Sequence, residues 1–132
     1  EYEVTVNKPI TKEFIEAIQK RTEDHIDTVI SISIGGSRLG PELLSEVYRS
    51  TNATTRVYYC SSNDLIELQD AISVSLPKNT MVVISSKSFD TPEILKNANH
   101  AKDWLHDAIG KSCWNNICGI SSNKKRHVRL WN

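Results

Sequence analysis

A charge excess, long apolar runs and paired cysteines are all absent from this sequence, and each absence narrows the class of protein. The 16 basic and 16 acidic side chains cancel, which argues against a general binder of nucleic acid or of another polyanion. No run of about 18 or more apolar residues occurs, and no charged segment followed by an apolar one opens the chain. We therefore expect neither membrane insertion nor secretion.

Cysteine is scarce, and the spacing of the cysteines does not indicate a metal site. The 3 cysteines, Cys60, Cys113 and Cys118, are an odd number and lack the close spacing of zinc ligands. We expect reduced thiols in a cytoplasmic protein, with no metal site and no cofactor.

The composition fits one compact domain. The chain has 132 residues, of which 39% are hydrophobic, which is enough for a core and lacks the signature of disorder. No internal repeat, linker or low-complexity segment divides it. Because it opens at Glu1 without a methionine, we expect residues 1–132 to be one domain of a longer polypeptide.

Predicted strands and helices alternate along the whole sequence. Apolar and β-branched runs predict strands at residues 27–34, 56–60, 81–84 and 116–121, and residues 1–6 suit a strand or an extended arm. Helical spacing predicts helices that begin near Thr11, Pro41, Asp64 and Pro92. This alternation is typical of βαβ units. We predict an α/β fold of the doubly wound type, a three-layer αβα sandwich around a parallel sheet.

The segment before the helix at Pro92 is rich in hydroxyl groups. Thr91 and Pro92 suit the N-cap and the first position of that helix. The segment therefore presents backbone N–H groups at the positive end of a helix dipole. The side chains around that end are Ser86, Lys87, Ser88 and Thr91. Hydroxyls and an ammonium there favour a phosphate group, so residues 86–91 are called the phosphate loop below.

A second candidate loop follows the first predicted strand. Gly35 and Gly36 allow backbone dihedral angles closed to other residues and let a ligand approach the main chain closely. Ser37 follows them. In a doubly wound sheet, ligands bind at the carboxyl ends of strands where the strand order reverses. Both loops follow such strand ends.

The two loops resemble the first sugar-isomerase (SIS) domain of the phosphoglucose isomerase family. At the first loop the family reads Gly-Ile-Gly-Gly-Ser-Asp-Leu-Gly-Pro, where this chain has Ser-Ile-Gly-Gly-Ser-Arg-Leu-Gly-Pro. At the second it reads Ser-Lys-Thr-Phe-Thr-Thr-x-Glu-Thr, where this chain has Ser-Lys-Ser-Phe-Asp-Thr-Pro-Glu-Ile. The likeness continues through Asn97-Ala98 and Ala101-Lys102-Asp103-Trp104-Leu105, so it is more specific than a single glycine-rich turn.

The resemblance implies a fold, a ligand and a set of contacts. It implies the SIS fold, and it implies that Ser86, Lys87, Ser88 and Thr91 hold the phosphate of glucose 6-phosphate or fructose 6-phosphate. By the same resemblance, Gly36 and Ser37 contact the sugar. It further implies a second SIS domain in the same polypeptide, a homodimer, and a cytoplasmic role in glycolysis and gluconeogenesis.

Several positions depart from the family pattern. The departures are Arg38 for Asp, Ser33 for Gly, Ser62 for Asn in a Ser-Asn-x-Asp motif that ends at Asp64, Asp90 for Thr and Pro92 for Gln. A carboxylate beside a phosphate site opposes the anion. We expect Asp90 to turn away from the site, or to cap the following helix in a capping box with Glu93.

The reaction that the resemblance implies needs groups that this chain lacks. Aldose–ketose isomerisation needs ring opening and a base that moves a proton between C1 and C2. The family takes its glutamate base and its ring-opening histidine from outside this region, and no residue here replaces them. The chain is therefore expected to anchor the phosphate for an isomerase. One alternative is a non-catalytic SIS module that senses a sugar phosphate and regulates a partner, and another is a module kept only for subunit contacts.

Overall fold

The computed structural model of the chain describes residues 26–34, 42, 55–61 and 65–121. Within these ranges, strands and helices alternate as the sequence predicts. The strands are β1 (Thr28–Ser33), β2 (Arg56–Cys60), β3 (Thr80–Ser85) and β4 (Ile117–Ile120), and the α-helices are α1 (Ile66–Ser73) and α2 (Pro92–Ile109). The 3₁₀ helices Pro77–Asn79 and Gly110–Asn116 precede β3 and β4.

Some predicted elements lie outside the described residues. They are the strand or arm at residues 1–6, the helix near Thr11 and most of the helix near Pro41. Within the helix predicted near Pro41, the structure describes Glu42, which is helical. No helix in the described ranges is both long enough and apolar enough to cross a membrane.

The four described strands form one parallel sheet in the order β2-β1-β3-β4. The chain places β2 on one side of β1 and then returns to place β3 on the other side. The strand order therefore reverses between β1 and β3, whose last residues, Ser33 and Ser85, are register partners. The predicted α/β fold with a parallel sheet is confirmed, and the reversal marks where ligands bind in such sheets.

One face of the sheet carries the core. Ile30 pairs with Val82 and Ile32 with Ile84, and none of these side chains is more than 1% exposed. The helices cover them with buried residues at helical spacing, namely Leu68 and Ala71 of α1 and Ile94, Ala98, Ala101 and Leu105 of α2. Because α1 and α2 contact each other as well as the sheet, they form one helical layer.

The 3₁₀ helix Gly110–Asn116 has no counterpart in the sequence prediction. It buries Asn116, whose Nδ2 donates to the carbonyl oxygens of Thr80 at 2.9 Å and Lys78 at 3.3 Å. These bonds join the residue before β4 to the start of β3, 36 positions earlier in the chain for Thr80. The Asn116 amide therefore helps to fix where β4 begins.

All 3 cysteines are free thiols. Cys60 and Cys113 are buried and Cys118 is half-buried. Burial raises the pKa of the Cys113 thiol, although Lys102 opposes the shift. Because a buried thiol with a raised pKa is a poor nucleophile, Cys113 acts as an apolar core residue.

Phe89 fastens the chain between β3 and α2 to the core. Its ring is 2% exposed and belongs to the main hydrophobic cluster. Its backbone has φ of 54°, in the left-handed region, which costs a residue with a Cβ atom about 1–2 kcal/mol. Its N–H donates to Ser86 Oγ at 3.0 Å. Burial of the ring and this hydrogen bond together offset the backbone strain.

Two buried hydroxyls on β1 differ in their hydrogen bonding. Thr28 is 0% exposed, and its Oγ1 donates to Asp27 Oδ1 at 2.7 Å. Ser33 is 1% exposed, and its Oγ has no hydrogen-bond partner among the residues that the structure describes. An unsatisfied buried hydroxyl costs about 1–3 kcal/mol. Serine at this position therefore lowers the stability of β1.

We predict that Ser33→Ala raises the free energy of unfolding by up to about 3 kcal/mol, because it removes an unsatisfied polar group. Thr28→Val, the matched control on the same strand, removes a paired hydroxyl and is expected to lower stability by about 1 kcal/mol. Urea denaturation followed by circular dichroism measures both. A loss of stability in Ser33→Ala would contradict the assignment of Ser33 as unsatisfied.

We predict that Phe89→Gly is more stable than Phe89→Ala. Both lose the buried ring, at a cost of about 3–5 kcal/mol, but only glycine adopts a positive φ freely. At Leu105, which is buried within α2, the order is expected to reverse, since alanine is favoured over glycine in helices by about 1 kcal/mol. The same denaturation experiment tests both pairs, and alanine being the more stable residue at position 89 would argue against the left-handed backbone.

Candidate functional site

The candidate site lies at the carboxyl edge of the sheet, between β1 and β3. Ser33 and Ser85 end these neighbouring strands side by side, and the phosphate loop begins directly after Ser85. The loop that follows β1 contains Gly36 and Ser37, which lie outside the described residues, as do Arg38, Ser62 and Asp64. The structure therefore shows one of the two predicted halves of the site.

The phosphate loop is fastened to the end of β4. The N–H of Ser86 donates to the carbonyl oxygen of Ile120 at 3.0 Å. One residue further along, Ser121 Oγ donates to the carbonyl oxygen of Lys87 at 3.1 Å. The sequence places Ser121 at the end of the last predicted strand, residues 116–121, but indicates no role for it, because nothing in the spacing shows which loop it reaches.

Two hydroxyls of the loop accept bonds from the loop itself. Ser86 Oγ accepts the Phe89 N–H, and Ser86 is 5% exposed. Ser88 Oγ accepts the Asp90 N–H at 3.3 Å. Both serines therefore shape the turn as well as line it. A hydroxyl that accepts one bond can also donate its own hydrogen, so this role is compatible with contact to an anion.

The phosphate loop ends at the amino end of α2. Thr91 is the N-cap and Pro92 the first helical residue, as predicted, and the Leu95 N–H donates to the Thr91 carbonyl oxygen at 3.2 Å. The Thr91 side chain makes no capping hydrogen bond, so it does not occupy the first N–H groups of the helix. α2 has 18 residues, and the positive end of its dipole lies at this point.

The predicted phosphate ligands differ in their exposure to solvent. Ser86 is buried, whereas Ser88 and Thr91 are half-buried and Lys87 is exposed. The half-buried hydroxyls are partly accessible to solvent, and the lysine adds a positive charge on a flexible side chain. The arrangement suits an anion that approaches from solvent towards the helix end.

Asp90 does not cap α2 in the way that the sequence suggests. It lies one position before the N-cap Thr91, so the predicted capping box with Glu93 does not match the start of the helix. Asp90 is exposed, which lets solvent screen its charge. In the part of the chain that the structure describes, no three His, Cys, Asp or Glu side chains are grouped to hold a metal ion.

Comparison with known proteins identifies a family. The family model for phosphoglucose isomerase matches residues 3–130. The glucose-6-phosphate isomerase of Buchnera aphidicola is 39% identical over 111 residues, which cover 83% of this chain and 20% of that protein. The enzyme of Ectopseudomonas mendocina is 37% identical over 112 residues, which cover 83% of this chain and 20% of that protein. The enzyme of Aspergillus oryzae is 37% identical over 100 residues, which cover 71% of this chain and 18% of that protein.

Solved structures share the fold. A crystal structure of a glucose-6-phosphate isomerase from Chlamydia trachomatis superimposes with a TM-score of 0.73 at 24% identity, over 85% of this chain and 21% of that one. A hypothetical protein from Thermus thermophilus gives a TM-score of 0.72 at 21% identity, over 92% of this chain and 30% of that one. The chain spans about a fifth of the length of the curated relatives it matches. On the extent of the family match and these identities, the chain belongs to the phosphoglucose isomerase family.

Proposed function

We propose that this domain binds the phosphate group of glucose 6-phosphate or fructose 6-phosphate within a glucose-6-phosphate isomerase. The observation that carries the proposal is the amino end of α2, where the N-cap side chain makes no capping bond. Family membership gives the chemical class of the ligand, and the loop supplies hydroxyls and a lysine at that end.

Each predicted phosphate ligand has a distinct part in this proposal. Ser88 and Thr91 donate their hydroxyl hydrogens to phosphate oxygens, and the first N–H groups of α2 add to them. Lys87 contributes charge, while Ser86 mainly holds the turn through the Phe89 N–H. Gly36 and Ser37 are proposed to contact the sugar from the loop after β1.

The chemical step requires the rest of an isomerase. Phosphate anchoring contributes binding energy that fixes the orientation of the sugar, and a base then moves the proton between C1 and C2. We place the base and the ring-opening histidine in a second domain of a longer polypeptide, of which residues 1–132 are one SIS domain. Such an enzyme would act in glycolysis and gluconeogenesis, as a cytoplasmic homodimer.

The competing hypothesis is a regulatory module that senses a sugar phosphate. Departures from the family pattern, such as Asp90 in place of Thr, favour this hypothesis. The curated relatives described above are glucose-6-phosphate isomerases, which favours an isomerase domain over a sensor.

We predict that Ser88→Ala and Thr91→Ala each weaken binding of fructose 6-phosphate by about 10- to 100-fold, because each removes a hydrogen bond to a charged group worth about 1.5–3 kcal/mol. Isothermal titration calorimetry with fructose 6-phosphate, and with inorganic phosphate, measures the effect. Ser112→Ala is the matched control, since Ser112 lies beyond the carboxyl end of α2 and its Oγ donates to the Ile109 carbonyl oxygen at 2.7 Å. Unchanged affinity in both loop variants would refute the phosphate site.

We predict that Asp90→Asn strengthens phosphate binding by about two- to fivefold at low ionic strength, because it removes a repulsive carboxylate worth about 0.3–1 kcal/mol at an exposed position. The gain is expected to shrink in concentrated salt, where exposed charges are screened. Asp103→Asn, on the exposed surface of α2, is the control. Equal affinity of Asp90→Asn and the unmodified chain at low salt would show that Asp90 does not act on the ligand.

A further inference from the structure

We infer that Ser121 is a positioning residue for phosphate binding, through its hydrogen bond to the carbonyl oxygen of Lys87. This inference rests on the proposed function, because it assigns Ser121 to the loop that holds the phosphate. Ser121 is 5% exposed and lies directly after β4, outside the loop itself. Its hydroxyl reaches across 34 positions of sequence to the Lys87 carbonyl oxygen at 3.1 Å.

The planarity of the peptide bond carries the argument. The Lys87 carbonyl group and the Ser88 N–H belong to one peptide unit, in which C=O and N–H point in opposite directions because the bond is trans. When Ser121 holds the carbonyl oxygen towards β4, the Ser88 N–H is turned to the other side of the loop. The hydrogen bond from Ser121 therefore sets the orientation of this peptide unit, and with it the direction of the Ser88 backbone and side chain.

The hydrogen bond from Ser121 also determines which way the partial negative charge of the Lys87 carbonyl oxygen faces. A carbonyl oxygen that is free to rotate can face an anion, and it then repels phosphate oxygens. Ser121 keeps the Lys87 oxygen engaged at the β4 side, so the loop presents hydrogen-bond donors to the ligand. The backbone bond from Ser86 to Ile120 fixes the start of the loop, but it precedes the Lys87–Ser88 peptide unit and cannot set its rotation.

The test compares Ser121→Ala with two other variants of the 132-residue chain. Ser121→Thr keeps the hydroxyl and should restore binding. Ser75→Ala is the matched control: Ser75 Oγ donates to the Ala71 carbonyl oxygen at 2.6 Å, also in a partly buried setting, but lies beyond the carboxyl end of α1, before β3. Titration calorimetry with inorganic phosphate, fructose 6-phosphate and fructose is carried out well below the unfolding midpoint of each variant.

We expect Ser121→Ala to lose about three- to tenfold in affinity for both phosphate-containing ligands, the loss that one hydrogen bond of ordinary strength predicts. Ser121→Thr should bind nearly as well as the unmodified chain, and Ser75→Ala should match it. Any weak binding of fructose should be the same in all variants, because Ser121 acts on the phosphate loop alone. In nuclear magnetic resonance spectra, the phosphate-induced shift of the Ser88 amide should shrink in Ser121→Ala and persist in Ser75→Ala.

The two ways of failing are distinguishable. If the unmodified chain binds neither inorganic phosphate nor fructose 6-phosphate, the proposed function fails, and the role of Ser121 fails with it. If the unmodified chain binds them and Ser121→Ala binds equally well, the positioning role alone is overturned. If Ser75→Ala loses as much affinity as Ser121→Ala, the effect is one of general stability, which also overturns the positioning role.

Discussion

The burial of Phe89 is the constraint on which the phosphate loop depends. The ring is held in the same hydrophobic cluster as Ile84 at the end of β3 and Ile94 at the start of α2. To place the ring there, the backbone takes a positive φ, which turns the chain sharply between strand and helix. The turn brings the Phe89 N–H to Ser86 Oγ and leaves the amino end of α2 at the carboxyl edge of the sheet. Hydrophobic packing therefore shapes a polar site.

Much of this arrangement could be predicted from sequence because local patterns determine it. The β-branched run of β1 and the apolar run of β3 each identify a buried strand, and Thr91 with Pro92 identifies the start of α2 to the residue. Alternation of strands and helices is enough to predict a parallel sheet. The position of the phosphate loop follows from these elements, since it joins a strand end to a helix start.

The features that the sequence did not reveal are long-range contacts and an unusual backbone conformation. Ser121 meets Lys87, and Asn116 meets Thr80, only because β4 pairs with β3, and spacing alone cannot name such partners. The left-handed backbone of Phe89 is also hidden, because glycine and asparagine are the usual residues at positive φ and phenylalanine gives no such signal. The predicted capping box at Asp90 is wrong because Asp and Thr are both good N-cap residues. Only the observed start of α2 shows that Thr91, and not Asp90, is the N-cap.

In the proposed function, anion binding depends on the phosphate loop and not on the overall charge of the chain. With 16 basic and 16 acidic side chains, the chain has no net charge to attract an anion. The positive end of α2 supplies about half of an elementary charge and Lys87 a full one, while Asp90 and Glu93 lie close in sequence with the opposite sign. These opposing charges cancel with a slight negative excess, so charge alone does not favour an anion here. The proposed binding therefore depends on hydrogen-bond donors held in fixed directions. In this proposal the bonds that orient the loop, from Ser121 to the Lys87 carbonyl oxygen and from the Phe89 N–H to Ser86, matter more than the lysine.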